Sequence, residues 1–228
     1  GFGARGVAND VKVSIKWIDT TNLSAATAPE ALKEVDAVIV PGGFGVRGTT
    51  GKIECIRHVR ENRIPYLGIC LGFQMAVVEY ARNVRGLEGA GSTEIDPECA
   101  APVISILPEQ KLIEKLGGNM RLGGQDVRLT PGSLAAELFG GAETIRQRFR
   151  HRFEVDPQYI ETLEDGGLIF SGRHPEQPIM QMLELPRDVH PYFVAAQFHP
   201  ELTSRPLRPQ PLFVGLVEAA MRREPVRA

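Results

Sequence analysis

At 228 residues and 43% hydrophobic composition, the chain is long enough to bury a sizeable core and reads as one domain. Its 26 basic and 28 acidic residues leave a formal charge of -2, which excludes the concentrated positive field that a nucleic-acid or anionic-membrane partner needs. No apolar run approaches the roughly 20 residues of a bilayer span, and the first ten residues lack the apolar core and cleavage site of a signal peptide, so a soluble, cytoplasmic protein is expected.

In chain order, VKVSIKWI (11–18) alternates Val11, Val13, Ile15 and Trp17 against Lys12, Ser14 and Lys16, the period of a half-buried outer or edge strand. Thr27, with Pro29 and Glu30 behind it, has the form of a capped helix start, and the short helix ends before Asp36. DAVIV then sets a continuous apolar run against a glycine turn, the mark of a parallel strand buried on both faces. A helix over 50–62 carries Ile53, Ile56 and Val59 on one stripe, and IPYLGIC follows as a second buried strand. After Cys70 the pattern LGFQMAVVEYA is helical. Cys70 is therefore expected at a strand-to-helix turn at the carboxyl end of a central strand, where open parallel sheets hold their sites.

Beyond Asn83 come a Gly-rich loop, a short strand near VISIL, and LGGNMRLGG (116–124), which has little apolar side chain to pin it and reads as a mobile flap. Strands near TIRQRFRHRFEV, GLIFSG, IMQMLEL and YFVAAQF follow, and a helix from Leu212 to Arg223 closes the chain after Pro211. The expected fold class is α/β: a flavodoxin-like open, mainly parallel sheet with helices on both faces and an antiparallel edge.

Three cysteines, Cys55, Cys70 and Cys99, form no close-spaced pair, so neither a disulfide framework nor a metal clip is expected. Cys55 falls in a helix and Cys99 in a Pro-flanked loop, and both read as small buried hydrophobes. Gly68-Ile69-Cys70-Leu71-Gly72 differs from them. It has the G-x-C-x-G form of a sharp turn that exposes a nucleophile above an α/β sheet. A thiol at the first turn of a helix feels the positive end of the dipole, which favours thiolate, and the Leu71 N–H can face an oxyanion. The same five residues also suit a structural turn.

A nucleophilic thiol needs a base, and the base needs a group to fix its tautomer. Gln197-Phe198-His199-Pro200-Glu201 follows a buried strand, and past the stiff proline the Glu201 carboxylate can return to the His199 ring. His58, His151, His174 and His190 have no comparable carboxylate placement and read as surface or structural histidines. Pro41-Gly42-Gly43-Phe44-Gly45, one unit before the Cys70 strand, is either a plain turn or a second source of oxyanion N–H groups.

PGGFGVRG, GICLGFQ, STE, MRLG, FRHRFEV and QFHPE, in this order, resemble the class I glutamine amidotransferase domain of the CTP synthase family, from about Val11 to the last helix. The resemblance implies that Cys70 is the nucleophile and that His199 and Glu201 complete a triad. It places glutamine against Gly43, Leu71, Gly72, Phe73, Gln74, Glu94 and Arg152, and the oxyanion against the amides of Gly42, Gly43 and Leu71. Glu94 and Arg152 are the charges that complement an amino acid's ammonium and carboxylate. It implies no metal or cofactor in this domain. Ammonia would pass to a synthetase domain that aminates UTP with ATP and magnesium, with GTP as activator, in a homotetrameric enzyme.

Phe73 stands where related amidotransferases usually carry a histidine. No G-x-x-x-x-G-K-[ST] loop occurs, so the synthetase domain is expected to be absent from this sequence. The family's domain normally opens with a strand and helix ahead of the segment matching 11–18, so a domain truncated at its N-terminus is expected. Two alternatives share the elbow. A cysteine hydrolase or peptidase-like protein would not need Glu94 and Arg152, and a non-catalytic regulatory domain would have lost a triad member.

Overall fold

The computed structural model describes residues 10–107 and 120–223. A short helix α1 (Ala28–Leu32) leads to strand β1 (Val38–Val40), helix α2 (Thr49–Glu61), strand β2 (Tyr66–Ile69) and helix α3 (Leu71–Asn83). Then come β3 (Ala90–Ser92), β4 (Ala101–Ser105), β5 (Arg121–Leu129), α4 (Leu134–Leu138), β6 (Thr144–His151) and β7 (Glu154–Val155). Helix α5 (Ile160–Asp165), strands β8 (Ile169–Arg173), β9 (Met180–Glu184) and β10 (Phe193–Ala196) and helix α6 (Pro211–Arg222) complete the order.

The main sheet runs β1-β2-β10-β9-β8-β5-β6, and β3-β4-β7 form a small second sheet. Every residue of β2 and β10 is buried, as continuous apolar runs in a parallel sheet require. The alternation within them divides the core. Tyr66, Phe193 and Ala195 pack with Ile56, Val59, Phe73 and Met75 of α2 and α3, whereas Leu67, Ile69, Val194 and Ala196 pack with Leu212, Phe213 and Leu216 of α6. The register fixes the site's position: Val40 lies beside Gly68, and Gly68 beside Ala195, with all three strands parallel. Their carboxyl ends therefore deliver residues 41–45, Cys70 and 197–201 to one edge.

The fold class is as the pattern implies, and the antiparallel portion is larger than an edge. β9, β8, β5 and β6 continue the sheet from β10 in antiparallel pairings. Three expectations change. Residues 11–18 form no strand, and Trp17 is 87% exposed. Alternation assigns side chains to faces, but a strand also needs a ladder, and among the described residues β1 pairs only with β2. Thr27 does precede α1, yet its hydroxyl accepts from the Ser24 N–H, so the capping box does not form. Of the expected flap, residues 116–119 lie outside the described residues, and Arg121–Gly124 open β5, paired with Arg148–His151 of β6.

Helices α2 and α3 are joined by a buried ion pair. Glu79 is fully buried and takes Nε and Nη2 of Arg60 at 3.0 and 2.8 Å. Removing the cation leaves a buried carboxylate with, among the described residues, only the Asn83 amide as partner. Arg60→Met should therefore lower unfolding free energy by roughly 3 kcal/mol in a urea titration. Trp17→Ala should change it by less than ~0.5 kcal/mol, because that side chain packs against almost nothing.

Candidate functional site

The Cys70 N–H donates to Ala196 O at 2.8 Å, extending the β2 ladder by one bond before α3 begins at Leu71. Turning from strand to helix within one residue forces Cys70 to φ 52° and ψ -100°, a left-handed conformation that a residue with a Cβ adopts only when its surroundings impose it. The flanking glycines are required by contact. A Cβ on Gly72 would lie 2.1 Å from Val40 O, and one on Gly68 would lie 2.6 Å from Tyr66 Oη. The Tyr66 hydroxyl, in turn, donates to Gly72 O at 2.9 Å. The thiol has Arg150 O as its polar neighbour, 3.8 Å from Sγ.

His199 leaves the end of β10 with its N–H on Arg148 O at 2.8 Å, and Pro200 starts a single helical turn that brings Glu201 back. Glu201 Oε1 lies 2.6 Å from Nδ1, which leaves Nε2 as the ring nitrogen not engaged by that carboxylate. Nε2 is buried and has no fixed hydrogen bond among the described residues. A Cβ on Gly42 would lie 3.0 Å from His199 Cε1 and 3.4 Å from Cys70 Cβ, so ring and thiol-bearing residue converge on this glycine. The ring's pKa is raised, first by the Cys70 thiol and then by Glu201, against the opposing effect of burial. The ring is thus held as imidazolium at neutral pH. Burial pushes the Cys55 thiol up to about 12 and raises Cys99, so neither is a ready thiolate. His190, lowered to about 4 by burial, is bonded to Val59 O and the Tyr192 N–H and is structural.

The turn at 41–45 adjoins the first turn of α3: the position of a Gly43 Cβ is 3.4 Å from Leu71 Cδ2. The amides of Gly42 and Gly43 donate to no protein backbone group among the described residues. Glu94 Oε1 accepts from the Gly45 N–H at 3.2 Å, which draws the loop after β3 to this turn. Arg152 is exposed at the corner between β6 and β7. The side chains of Phe73 and Gln74 are less free than their motif implies. Phe73 is fully buried in the core, and Gln74 Nε2 donates to Phe153 O and Gln197 Oε1 at 3.1 and 3.2 Å. Both brace the elbow from beneath.

The sequence reading gave no role to the carbonyls of Arg148 and Arg150, to Gln197, to Arg121, or to the buried His151 and Glu154. A signal existed for one of them. TIRQRFRH alternates with Ile145, Gln147, Phe149 and His151 buried, which places His151 inside. A cleft of about 430 Å³ lined by Arg146, Arg148, Thr203 and Arg208 opens elsewhere, away from the thiol. Among the described residues no three His, Cys, Asp or Glu side chains gather as a metal site, and no helix is long and apolar enough to cross a membrane.

Residues 4–219 match the family model of class-I glutamine amidotransferases. The CTP synthase of Thermococcus kodakarensis is 54% identical over 219 residues, 96% of this chain and 40% of that protein. That of Staphylococcus carnosus is 52% identical over 208 residues, 91% of this chain and 38% of its own length. The chain therefore spans about two fifths of the curated relatives it matches. Among solved structures, the glutaminase domain of Trypanosoma brucei CTPS with bound acivicin superposes with a TM-score of 0.90 at 35% identity, covering 98% of this chain and 86% of that one.

The coupling of ring and thiol can be read directly. In a Cys70→Ala variant the largest cause of the raised value is gone, so the His199 imidazole should titrate at lower pH than in the unaltered chain. Glu201→Gln should lower it as well, by less. Two-dimensional NMR of the ring protons between pH 5 and 11 measures this. The sign for stability follows: the raised value contributes stability that is fully present below the ordinary 6.5 and fades as pH rises through the folded value of about 10.

Proposed function

This chain belongs to the class-I glutamine amidotransferases, in the CTP synthase branch, and on that footing we propose that Cys70, His199 and Glu201 hydrolyse glutamine to glutamate and ammonia through a thioester. One observation supports this above others: a left-handed cysteine at a strand-to-helix turn has a carboxylate-paired histidine delivered beside it by the adjoining strand.

The Cys70 thiolate adds to the δ-carboxamide carbon, and the oxyanion that forms is held by the N–H groups of Leu71 and the Gly42-Gly43 turn. His199, protonated while thiolate lies beside it, gives its proton to the departing nitrogen, so the C–N bond breaks and ammonia leaves. Acylation removes the Cys70 sulfur as the ring's hydrogen-bond partner and with it the largest cause of the raised histidine pKa. The neutral ring then takes a proton from water, which adds to the thioester carbon. Collapse expels the thiolate and releases glutamate, and the proton returns to the starting pair. Glu201 keeps Nδ1 occupied throughout, so Nε2 does both transfers.

In this reading the substrate ammonium meets Glu94 and its carboxylate meets Arg152, with Gly43 and the backbone of Leu71, Gly72, Phe73 and Gln74 lining the rest. A peptidase would have no use for this pair of charges. The ammonia serves a synthetase portion that aminates UTP with ATP and magnesium, under GTP activation, in a cytoplasmic homotetramer. The thiol, imidazole and carboxylate supply the glutaminase chemistry themselves.

A glutamine analogue with an electrophile at the δ position should label Cys70 and neither Cys55 nor Cys99, as read by mass spectrometry of peptides. Labelling of Cys70→Ser at the wild-type rate would remove the assignment. Arg152→Lys should raise KM for glutamine by roughly tenfold, because a point charge replaces a planar fork. An unchanged KM in steady-state glutamate release would contradict the carboxylate contact.

A further inference from the structure

We propose that the cluster of Arg121 with the buried Glu154 and His151 is a positioning device that aims Arg152 at the substrate carboxylate. This rests on the glutaminase reading and deepens it. The corner 151–154 carries the chain from β6 of the main sheet to β7 of the small one, where Glu154 lies opposite Ser105. Among the described residues, the N–H groups of Arg152 and Phe153 make no backbone hydrogen bond, and the corner contains no glycine or proline. Its shape is therefore set by side chains. Glu154 Oε1 lies 2.8 Å from His151 Nε2, closing a clamp across the two residues between them. Gln74 fixes Phe153 O from beneath, so Arg152 is the corner residue left to project.

Arg121 Nε donates to the same Oε1 at 2.8 Å, and Arg121 lies directly across the ladder from His151. Glu154 is fully buried and His151 is 2% exposed, so the clamp is dry and the carboxylate strongly needs its partners. A buried ionic cluster adds little to stability against an apolar replacement, and its value lies in specifying one geometry. Here that geometry is the path of a segment that meets the site at two carbonyls: Arg148 O accepts from the His199 N–H and Arg150 O is at the Cys70 sulfur, and Arg152 follows two residues on.

The test uses Glu154→Gln and two reagents. Loss of the clamp should raise KM for glutamine by about tenfold, the change expected when one charge-assisted contact is misaligned, with kcat within about threefold. Labelling by the δ-electrophilic glutamine analogue should slow by about the same factor, while alkylation of Cys70 by iodoacetamide, which needs no Arg152, should keep its rate. In an Arg152→Ala background Glu154→Gln should add no further rise in KM, because the residue it aims is gone. An unchanged KM, additive effects, or iodoacetamide slowing in step with the analogue would overturn the proposal. If Glu154→Gln does not fold, Arg121→Gln gives the same comparison from a partner that reaches the surface. Its KM should rise at least about threefold, with Arg121→Lys restoring part of the loss. A wild-type chain that the analogue does not label overturns the glutaminase reading itself, whereas a labelled wild type with an indifferent Glu154→Gln overturns only the clamp.

Discussion

The site depends on one close contact, that of Gly72 with the end of β1. A Cβ at residue 72 would meet Val40 O at 2.1 Å, so helix α3 can begin over the carboxyl end of the sheet only with hydrogen in that place. Once α3 begins there, the single residue between Ile69 and Leu71 must make the whole change of direction, and Cys70 takes the left-handed conformation. The sulfur is raised to the edge of the sheet at the positive end of a helix of 13 residues. Strain, exposure to a base and helix dipole follow from one packing requirement. The parallel register then places the glycine turn of β1 and the histidine of β10 on either side.

The second requirement is curvature. In the strand order β6 is the far end of the sheet, four ladders away from β10, yet its carbonyls reach the residues that leave β2 and β10. The antiparallel half must curl back over the parallel edge for this to occur. The two halves divide the work. Parallel strands supply the groups proposed to do the chemistry, and the curled antiparallel strands supply the carbonyls that hold them and carry Arg152.

Much of this was legible in the sequence because the signals were local. The G-x-C-x-G run names its own turn, a continuous apolar stretch names a doubly covered strand, and H-P-E sets a carboxylate two residues from its ring. What escaped depends on partners distant in sequence. Residues 11–18 have a strand's alternation and no ladder to join. Gln74 has the look of a ligand-binding amide, yet Gln197, 123 positions away, and Phe153 O occupy its donors. Residues 121–124 are rich in glycine and read as a flap, whereas β6 opposite them makes them a strand. His151 looked ordinary, since nothing in its sequence neighbourhood announces Arg121 across the ladder.

The chain holds two carboxylate–histidine pairs of similar length, 2.6 Å for Glu201 with His199 and 2.8 Å for Glu154 with His151, and their surroundings separate their work. Glu201 keeps 47% side-chain exposure and its histidine has a thiol beside it, whereas the second nitrogen of both histidines is without a fixed partner among the described residues. In the proposed reaction the His199 ring changes protonation without leaving a charge stranded, because solvent reaches the carboxylate and the thiol stands beside the ring. Glu154 has no exposure, and the third member of its cluster is an arginine, which does not give up its charge. A carboxylate held by a permanent cation suits the holding of a corner. On the proposed roles, what distinguishes the reacting pair from the positioning pair is the third group, a thiol in one case and a permanent cation in the other.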